Sequence, residues 1–242
     1  HADLTGLKKF GGDDARNILE RASARETAVR VAAGTICRQL LRALGVEVSG
    51  YVRSVGDVCD EKEYSFDALP CRLPELFMMD AAKQKEAMAY IDACKEAGDT
   101  CGGVAELRVK GLKSGFGSCM TYAEKLDARL AAALMSVQAI KGVEVGLGFG
   151  VAARRGSDVH DEIFFSEGKY LRRTNRAGGI EGGMSNGEEI VLRAAMKPIP
   201  TLMRGLATVD YVTHEGVRAA TSVPFLRAKS CSRAPFVRRL PK

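Results

Sequence analysis

Apolar residues at Ile18, Ala22, Val29, Ala32, Ile36 and Leu40 keep helical spacing, and the pattern predicts one long helix over residues 13–44. Asp13 and Asp14 stand at its start, where negative charge complements the helix dipole, and Gly45 stands just past its end. The middle of this helix is small: Ala24, Ala28, Ala32, Ala33 and Gly34 let another backbone or a ligand approach closely. Residues 46–58 change to alternation (Val46, Val48, Tyr51, Val52, Val55) and predict a strand.

Residues 60–79, with Pro70 and Pro74, read as a loop, and 81–97 as a helix closed by Gly98. A strand is predicted over 101–110, a glycine-rich turn over 111–117 and a strongly helical run over 122–137. Residues 142–153 alternate again, as a long glycine-studded strand. A glycine-rich loop at 178–187 precedes a strand at 190–195, and a last strand runs near 207–212. Helices and strands mix without a regular β-α-β alternation, and no linker or repeat divides the chain. The pattern predicts one α+β domain.

A chain of 242 residues can bury a sizeable core without disulfide or metal staples. Its 46% hydrophobic and 27% charged residues exclude a disordered or collagen-like chain. No apolar run approaches the roughly eighteen residues of a membrane span, and His1, Ala2, Asp3 and Leu4 carry no signal-like pattern. A cytoplasmic protein with no membrane partner is expected. The net charge of +6 suits nucleic acid, an anionic surface or small anionic ligands. Acidic residues are interspersed among the 36 Lys and Arg, and Trp is absent, so few platforms exist for stacking bases. That favours small phosphorylated or carboxylated ligands over nucleic acid. Seven cysteines form no Cys-x-x-Cys pair, and His1, His160 and His214 lie far from them. The expectation is free thiols and no metal site.

Three segments carry candidate chemistry. Arg21 and Arg25 lie one helical turn apart with Ser23 between them. Two guanidiniums and a hydroxyl suit phosphate or carboxylate, while surface arginines bridged to Glu20 and Glu26 would read the same way. Residues 178–187 hold enough glycine to pass close to a flat ligand or to turn amides toward an anion, and equally to be a mobile loop. Lys197-Pro198-Ile199-Pro200-Thr201 sets a cation and a hydroxyl on a stiff frame, either a pocket wall or an edge turn.

Residues 20–36, Glu-Arg-Ala-Ser-Ala-Arg-Glu-Thr-Ala-Val-Arg-Val-Ala-Ala-Gly-Thr-Ile, resemble the central signature of the chorismate synthase family without a gap. His1-Ala2-Asp3, residues 125–134, 141–146, 173–179 and 197–201 fall in the family's order, so the resemblance covers residues 1 to about 215. It implies a β-α-β sandwich, with central helices layered between antiparallel sheets and the 13–44 helix buried centrally, as its small residues Ala24, Ala28 and Ala32 would allow. It implies a reduced-FMN-dependent anti 1,4-elimination of phosphate from 5-enolpyruvylshikimate 3-phosphate, giving chorismate in aromatic amino acid biosynthesis. It also implies a homotetramer, and leaves NAD(P)H-dependent flavin reduction open because that varies within the family. Carried over by motif, Arg21, Ala22, Ser23, Gln138, Ala139, Gly182, Lys197, Pro198, Ile199, Pro200 and Thr201 would contact flavin. His1 would be a catalytic histidine and Arg25 an anion contact. Arg21, Ser23, Gln138, Gly182 and Lys197, distant in sequence, are expected to converge around one cleft, with part of the flavin site completed by a neighbouring subunit. His160 has no assigned role.

The sequence departs from the family pattern at two places. Family members carry an upstream Gly-Glu-Ser-His-Gly segment, which the sequence from His1 to Lys242 does not contain. Downstream, the family's Arg-Ser-Asp-x-Cys-Ala-Val-Pro-Ala is replaced at residues 220–227 by Ala-Thr-Ser-Val-Pro-Phe-Leu-Arg. Read one base earlier, permitted codons for these residues spell Ser-Asp-Val-Cys-Ala-Val-Pro-Ala. Residues 1–217 are thus expected to form the family domain and 218–242 to be an out-of-frame tail, the alternative being a divergent terminus. The fragment is expected to be inactive, since each positioned acid or base contributes about 10²–10⁴-fold. Retained flavin binding by an inactive fragment, and less so a basic nucleic-acid-binding module, stand as alternatives.

Overall fold

The computed structural model describes residues 2–11, 15–210 and 213–219. His1 and residues 220–242, which hold most of the expected out-of-frame tail, lie outside the described residues.

The chain opens with two short helices, α1 (Asp3–Phe10) and α2 (Ala15–Ala22). Here the structure corrects the single helix expected over 13–44. Ser23 is extended, at φ −71° and ψ 148°, and its hydroxyl accepts a hydrogen bond from the Arg25 amide at 3.3 Å. A serine in that conformation caps a new helical start instead of continuing the old one. A 3-10 turn, Ala24–Glu26, follows, and then α3 (Thr27–Ala43).

The core is a five-stranded antiparallel sheet. Its strands are β1 (Glu47–Val55), β2 (Val58–Cys59), β3 (Gly103–Lys110), β4 (Ile140–Val145) and a later strand, Ile190–Met196. Two helices join them, α4 (Ala81–Glu96) between β2 and β3, and α5 (Leu126–Met135) between β3 and β4. Three hairpins lie outside this sheet: β5 (Ile163–Ser166) with β6 (Lys169–Arg172), β7 (Ile180–Glu181) with β8 (Met184–Ser185), and β10 (Ala207–Val209) with β11 (Gly216–Arg218). The strand Ile190–Met196 is β9, and the sheet order is β2-β1-β3-β9-β4.

Side chains alternate across this sheet. On one face Leu107, Val109, Val145, Ile190 and Leu192 pack with Ile180, Leu112 and the Leu126, Leu130 and Leu134 stripe of α5. The opposite face is charged. Tyr51, Glu106, Arg193 and Glu144 stand in register across β1, β3, β9 and β4. Glu106 is fully buried and accepts from Arg53 at 2.8 Å, Arg108 at 2.8 Å and Arg193 at 2.9 Å. Burial alone would raise its pKa; the hydrogen bond from Arg193 and the charge and hydrogen bond of Arg108 hold it below the usual carboxylate range. Phe66 and Leu69 pack with Tyr51 beside this network. Val55, Leu76, Met78 and Ala87 form a third cluster that seats α4.

The α+β class is as expected, with helices packed on antiparallel sheets. The burial of the long helix is not. No residue of α3 is buried, and Val29, Ile36 and Leu40 are 71%, 71% and 63% exposed. Among the described residues α3 packs chiefly against the 3-10 turn before it and β1, with Arg30 reaching Ser136, and its apolar side stays exposed. The strand expected over 142–153 also stops early. Gly146 and Gly148 take φ 59° and 55° and turn the chain into a 3-10 segment, Gly148–Ala153. A Cβ at Gly146 would sit 2.2 Å from the Arg176 carbonyl oxygen, so only glycine makes this close turn. The last predicted strand is seen as β10 alone; residues 211 and 212 lie outside the described residues.

Candidate functional site

Arg21 and Ala22 form the last turn of α2, and Ser23 caps the turn beyond it. Arg25 is exposed and paired with Glu20. That is the surface bridge which spacing alone leaves open, with no anion required to explain it. Glu26, the last residue of the 3-10 turn, reaches across the fold: its carboxylate accepts from the Gln138 side-chain amide, 112 positions later. Arg30 adds a hydrogen bond from Nε to Glu26 Oε1 at 3.2 Å and another from Nη1 to Ser136 Oγ at 2.8 Å. The Gln138 bond, with the Arg30 and Arg21 charges, lowers the Glu26 pKa.

Gln138 and Ala139 lie in the turn that joins α5 to β4. Ala139 has φ 70°, a left-handed conformation that ordinarily selects glycine, and the Ile140 amide closes the turn on Val137 O at 3.2 Å. Ala139 O accepts from the Lys197 amide at 2.9 Å. The segment from Lys197 to Thr201 leaves the sheet at this point, where Thr100 Oγ1 donates to Ile199 O at 2.7 Å. A Cβ at Gly102 would lie 3.2 Å from Pro198 Cδ, so the backbone packs directly against that proline. Pro198, Ile199, Pro200 and Thr201 present an exposed rim.

Gly182 stands apart from this group. Gly182 and Gly183 are the two central residues of the β7–β8 hairpin, at φ 58° and 83°, the paired positive angles of a tight hairpin turn. Gly183 O accepts from the Leu126 amide at 2.8 Å, which seats the turn on the N-terminal end of α5. Gln138 and Ala139 follow the C-terminal end of the same helix. Ten residues of helix separate the two groups by about 15 Å. The structure therefore joins Glu26 to Gln138, and Ala139 to Lys197, at one end of α5, with Arg21, Ala22 and Ser23 in the chain just before Glu26, and places Gly182 at the other end.

The glycine loop is pinned by residues that the sequence alone did not single out. Asp161 accepts from the Thr174 hydroxyl, from the Arg176 amide at 2.8 Å and from the Ala177 amide at 2.9 Å. Asn175 accepts from the Gly179 amide at 2.8 Å and donates to Glu189 O at 2.7 Å. Arg172 grips Glu181 with two bonds of 3.0 and 2.8 Å, and Asn186 adds a third at 2.9 Å. Beside them a shallow cavity of about 200 Å³ is lined by Ser114, Gly115, Arg172, Glu181, Met184, Ser185 and Asn186. The available signal was polar residues of turn-forming type between two glycine runs, which marks a loop but not its partners. His160 is exposed and lies beside Gly156. His1 lies outside the described residues.

A sequence model of the chorismate synthase family matches residues 1–224. Chorismate synthase of Pelobacter propionicus is 53% identical over 96% of this chain and 61% of its own length. That of Thermus thermophilus is 49% identical over 98% of this chain and 64% of its own. A crystal structure of chorismate synthase superposes with a TM-score of 0.75 at 46% identity, covering 81% of this chain and 63% of that one. The chain thus spans about three fifths of the length of the curated relatives it matches. A match over nearly the whole of this chain, together with the shared fold, leads to one conclusion: the chain belongs to the chorismate synthase family.

Proposed function

We propose that this chain carries the flavin-binding elements, and part of the substrate site, of a chorismate synthase. That enzyme eliminates phosphate from 5-enolpyruvylshikimate 3-phosphate to give chorismate, and the reading places the parent protein in aromatic amino acid biosynthesis. The single observation that carries it is the junction at the C-terminal end of α5. Three segments far apart in sequence meet there: the 3-10 turn after Ser23, through Glu26, the Gln138–Ala139 turn and the start of the 197–201 segment.

The residues at this junction fit a flavin mononucleotide. Gln138 Oε1 is covered and has no hydrogen-bond partner, an acceptor in want of an N–H. The Ser23 hydroxyl and the Arg21 guanidinium supply donors of the kind a phosphate takes, and the 197–201 segment offers a stiff wall. Reduced FMN, when bound, supplies electron density as the substrate's phosphate leaves. The chain's own part is to hold and orient: Arg21 and Arg25 at an anionic group, Gln138 at a ring edge, and Gly182 at a second contact along an elongated ligand. The Gly182 site lies about 15 Å from the junction, a span that an extended ligand or a neighbouring subunit of a homotetramer would bridge.

His1 is proposed as a proton-transfer residue and the parent protein as cytoplasmic, both on the family resemblance. The fragment is proposed to bind flavin with little or no turnover. Family membership does not favour the nucleic-acid-binding alternative. Anaerobic spectral titration with reduced FMN, alone and with 5-enolpyruvylshikimate 3-phosphate, tests the reading. A flavin difference spectrum that the substrate perturbs is expected; an unchanged flavin spectrum at every protein concentration would refute it.

A further inference from the structure

A primary amide has two ends of nearly equal size, one donating and one accepting, so shape alone does not choose which end faces a ligand. At Gln138 the choice is made by charge. An ionised carboxylate only accepts, so Glu26 takes the Nε2–H end and the oxygen is turned away from it. Glu26 is itself held by Arg30, which also bonds Ser136 two residues before Gln138. The clamp therefore ties the start of α3 to the turn that carries Gln138. Among the described residues, Gln138 Oε1 is the one side-chain oxygen or nitrogen that is both covered and unpartnered. A buried acceptor without a donor is unfavourable, and a ligand that brings an N–H relieves it.

We infer that Glu26 is a positioning residue of the flavin site: by accepting the Gln138 Nε2–H, it makes the amide oxygen the end available to the ligand and so selects a ring edge that brings an N–H. The inference rests on the flavin reading above. The oxygen is covered in the free chain, so taking a ligand N–H requires the groups over it to move aside. An isoalloxazine ring carries N3–H in both redox forms and gains N–H at N1 and N5 on two-electron reduction, so titration with both forms reports which edge the oxygen takes.

The test uses the chain with ¹⁵N label, as wild type and as Glu26→Ala and Glu26→Gln. The Gln138 side-chain amide is assigned by its loss in Gln138→Met. Without any flavin, the wild type should show one set of Gln138 amide protons, with the Glu26-bonded proton shifted downfield. Glu26→Ala should collapse that shift. Glu26→Gln, which can accept or donate and so keeps packing, should show two orientations. Anaerobic titration with oxidised and with dithionite-reduced FMN follows. Reduced FMN should bind roughly tenfold more weakly to Glu26→Ala, with Glu26→Gln intermediate and melting temperatures unchanged. Wild-type binding of reduced FMN that both variants match would overturn the role of Glu26 and leave the flavin reading intact. Gln138 amide signals indifferent to both substitutions would overturn it as well. A wild type that binds neither form of FMN would instead overturn the flavin reading, and this inference with it.

Discussion

Glu106 imposes the strictest demand of any single residue in the sheet. It has no exposed surface, and three guanidiniums converge on it. Replacing it with Gln removes the charge those guanidiniums neutralise while leaving them desolvated. Breaking a buried pair in this way costs about 3–5 kcal/mol, and denaturant unfolding of Glu106→Gln should show a loss of that size. Asp80 makes a smaller, pH-dependent contribution. The hydrogen bond from Lys62, then those from the Lys83 and Ala82 amides at the start of α4, hold its pKa down to about 2. A depressed folded-state pKa stabilises at pH values above the unfolded value. That contribution should disappear as the pH falls from about 4 to about 2, and Asp80→Asn should flatten this part of an acid-unfolding curve. The role of Glu106 was not legible in the sequence. Alternation places Glu106 and Arg108 on one face of a strand, but their meeting with Arg53 and Arg193 depends on register across three strands. Likewise Arg21 and Ser23 were legible as candidates by residue type, whereas the bond between Glu26 and Gln138 was not.

The elements that the sequence predicted well are those whose ends carry local signals. Helix α4 starts at Asp80, whose carboxylate caps it, and stops before Gly98 at φ 71°. Strands β3 and β9 follow their apolar patterns because both are interior strands of the sheet. The 13–44 reading failed because periodicity runs through Ser23 while the serine's own hydroxyl ends the helix. The β5–β6 hairpin was not anticipated. Its turn uses Glu167 and Gly168, at φ 52° and 76°, where Asn-Gly is the usual mark. Ala139 is the same kind of position inside the candidate site, a left-handed turn residue that is not glycine. Its side chain costs about 1–2 kcal/mol in that conformation, and glycine returns part of this as unfolded-state entropy. Ala139→Gly should therefore lie between neutral and about 1 kcal/mol more stable, and Ala139→Val about 1–2 kcal/mol less stable, by chemical denaturation. A strongly destabilised glycine variant would mean that the methyl group packs more than it strains.

At the scale of the whole molecule, the α3 face and the sheet make opposite arguments. The sheet is covered on one side by α5 and filled on the other by its charge network. Val29, Ile36 and Leu40 lie along one side of α3 at helical spacing and remain open. The apolar pattern of this helix was legible from the sequence. That pattern says that a face is to be covered, while the cover comes from elsewhere in space and leaves no local signature. The small residues beside it fit the same account: a Cβ added at Gly34 would meet nothing within 4 Å, so close approach by another backbone is sterically free. An open apolar stripe of this kind drives association in water. The chain alone should bind a hydrophobic dye and self-associate as its concentration rises. Changing Val29, Ile36 and Leu40 together to Lys should suppress both effects in dye fluorescence and sedimentation velocity. Because none of the three is buried in the described fold, the substitution should leave the thermal transition nearly where it was. A large fall in melting temperature, with dye binding unchanged, would show that this face already packs within the single chain and that the exposed surface driving association lies elsewhere.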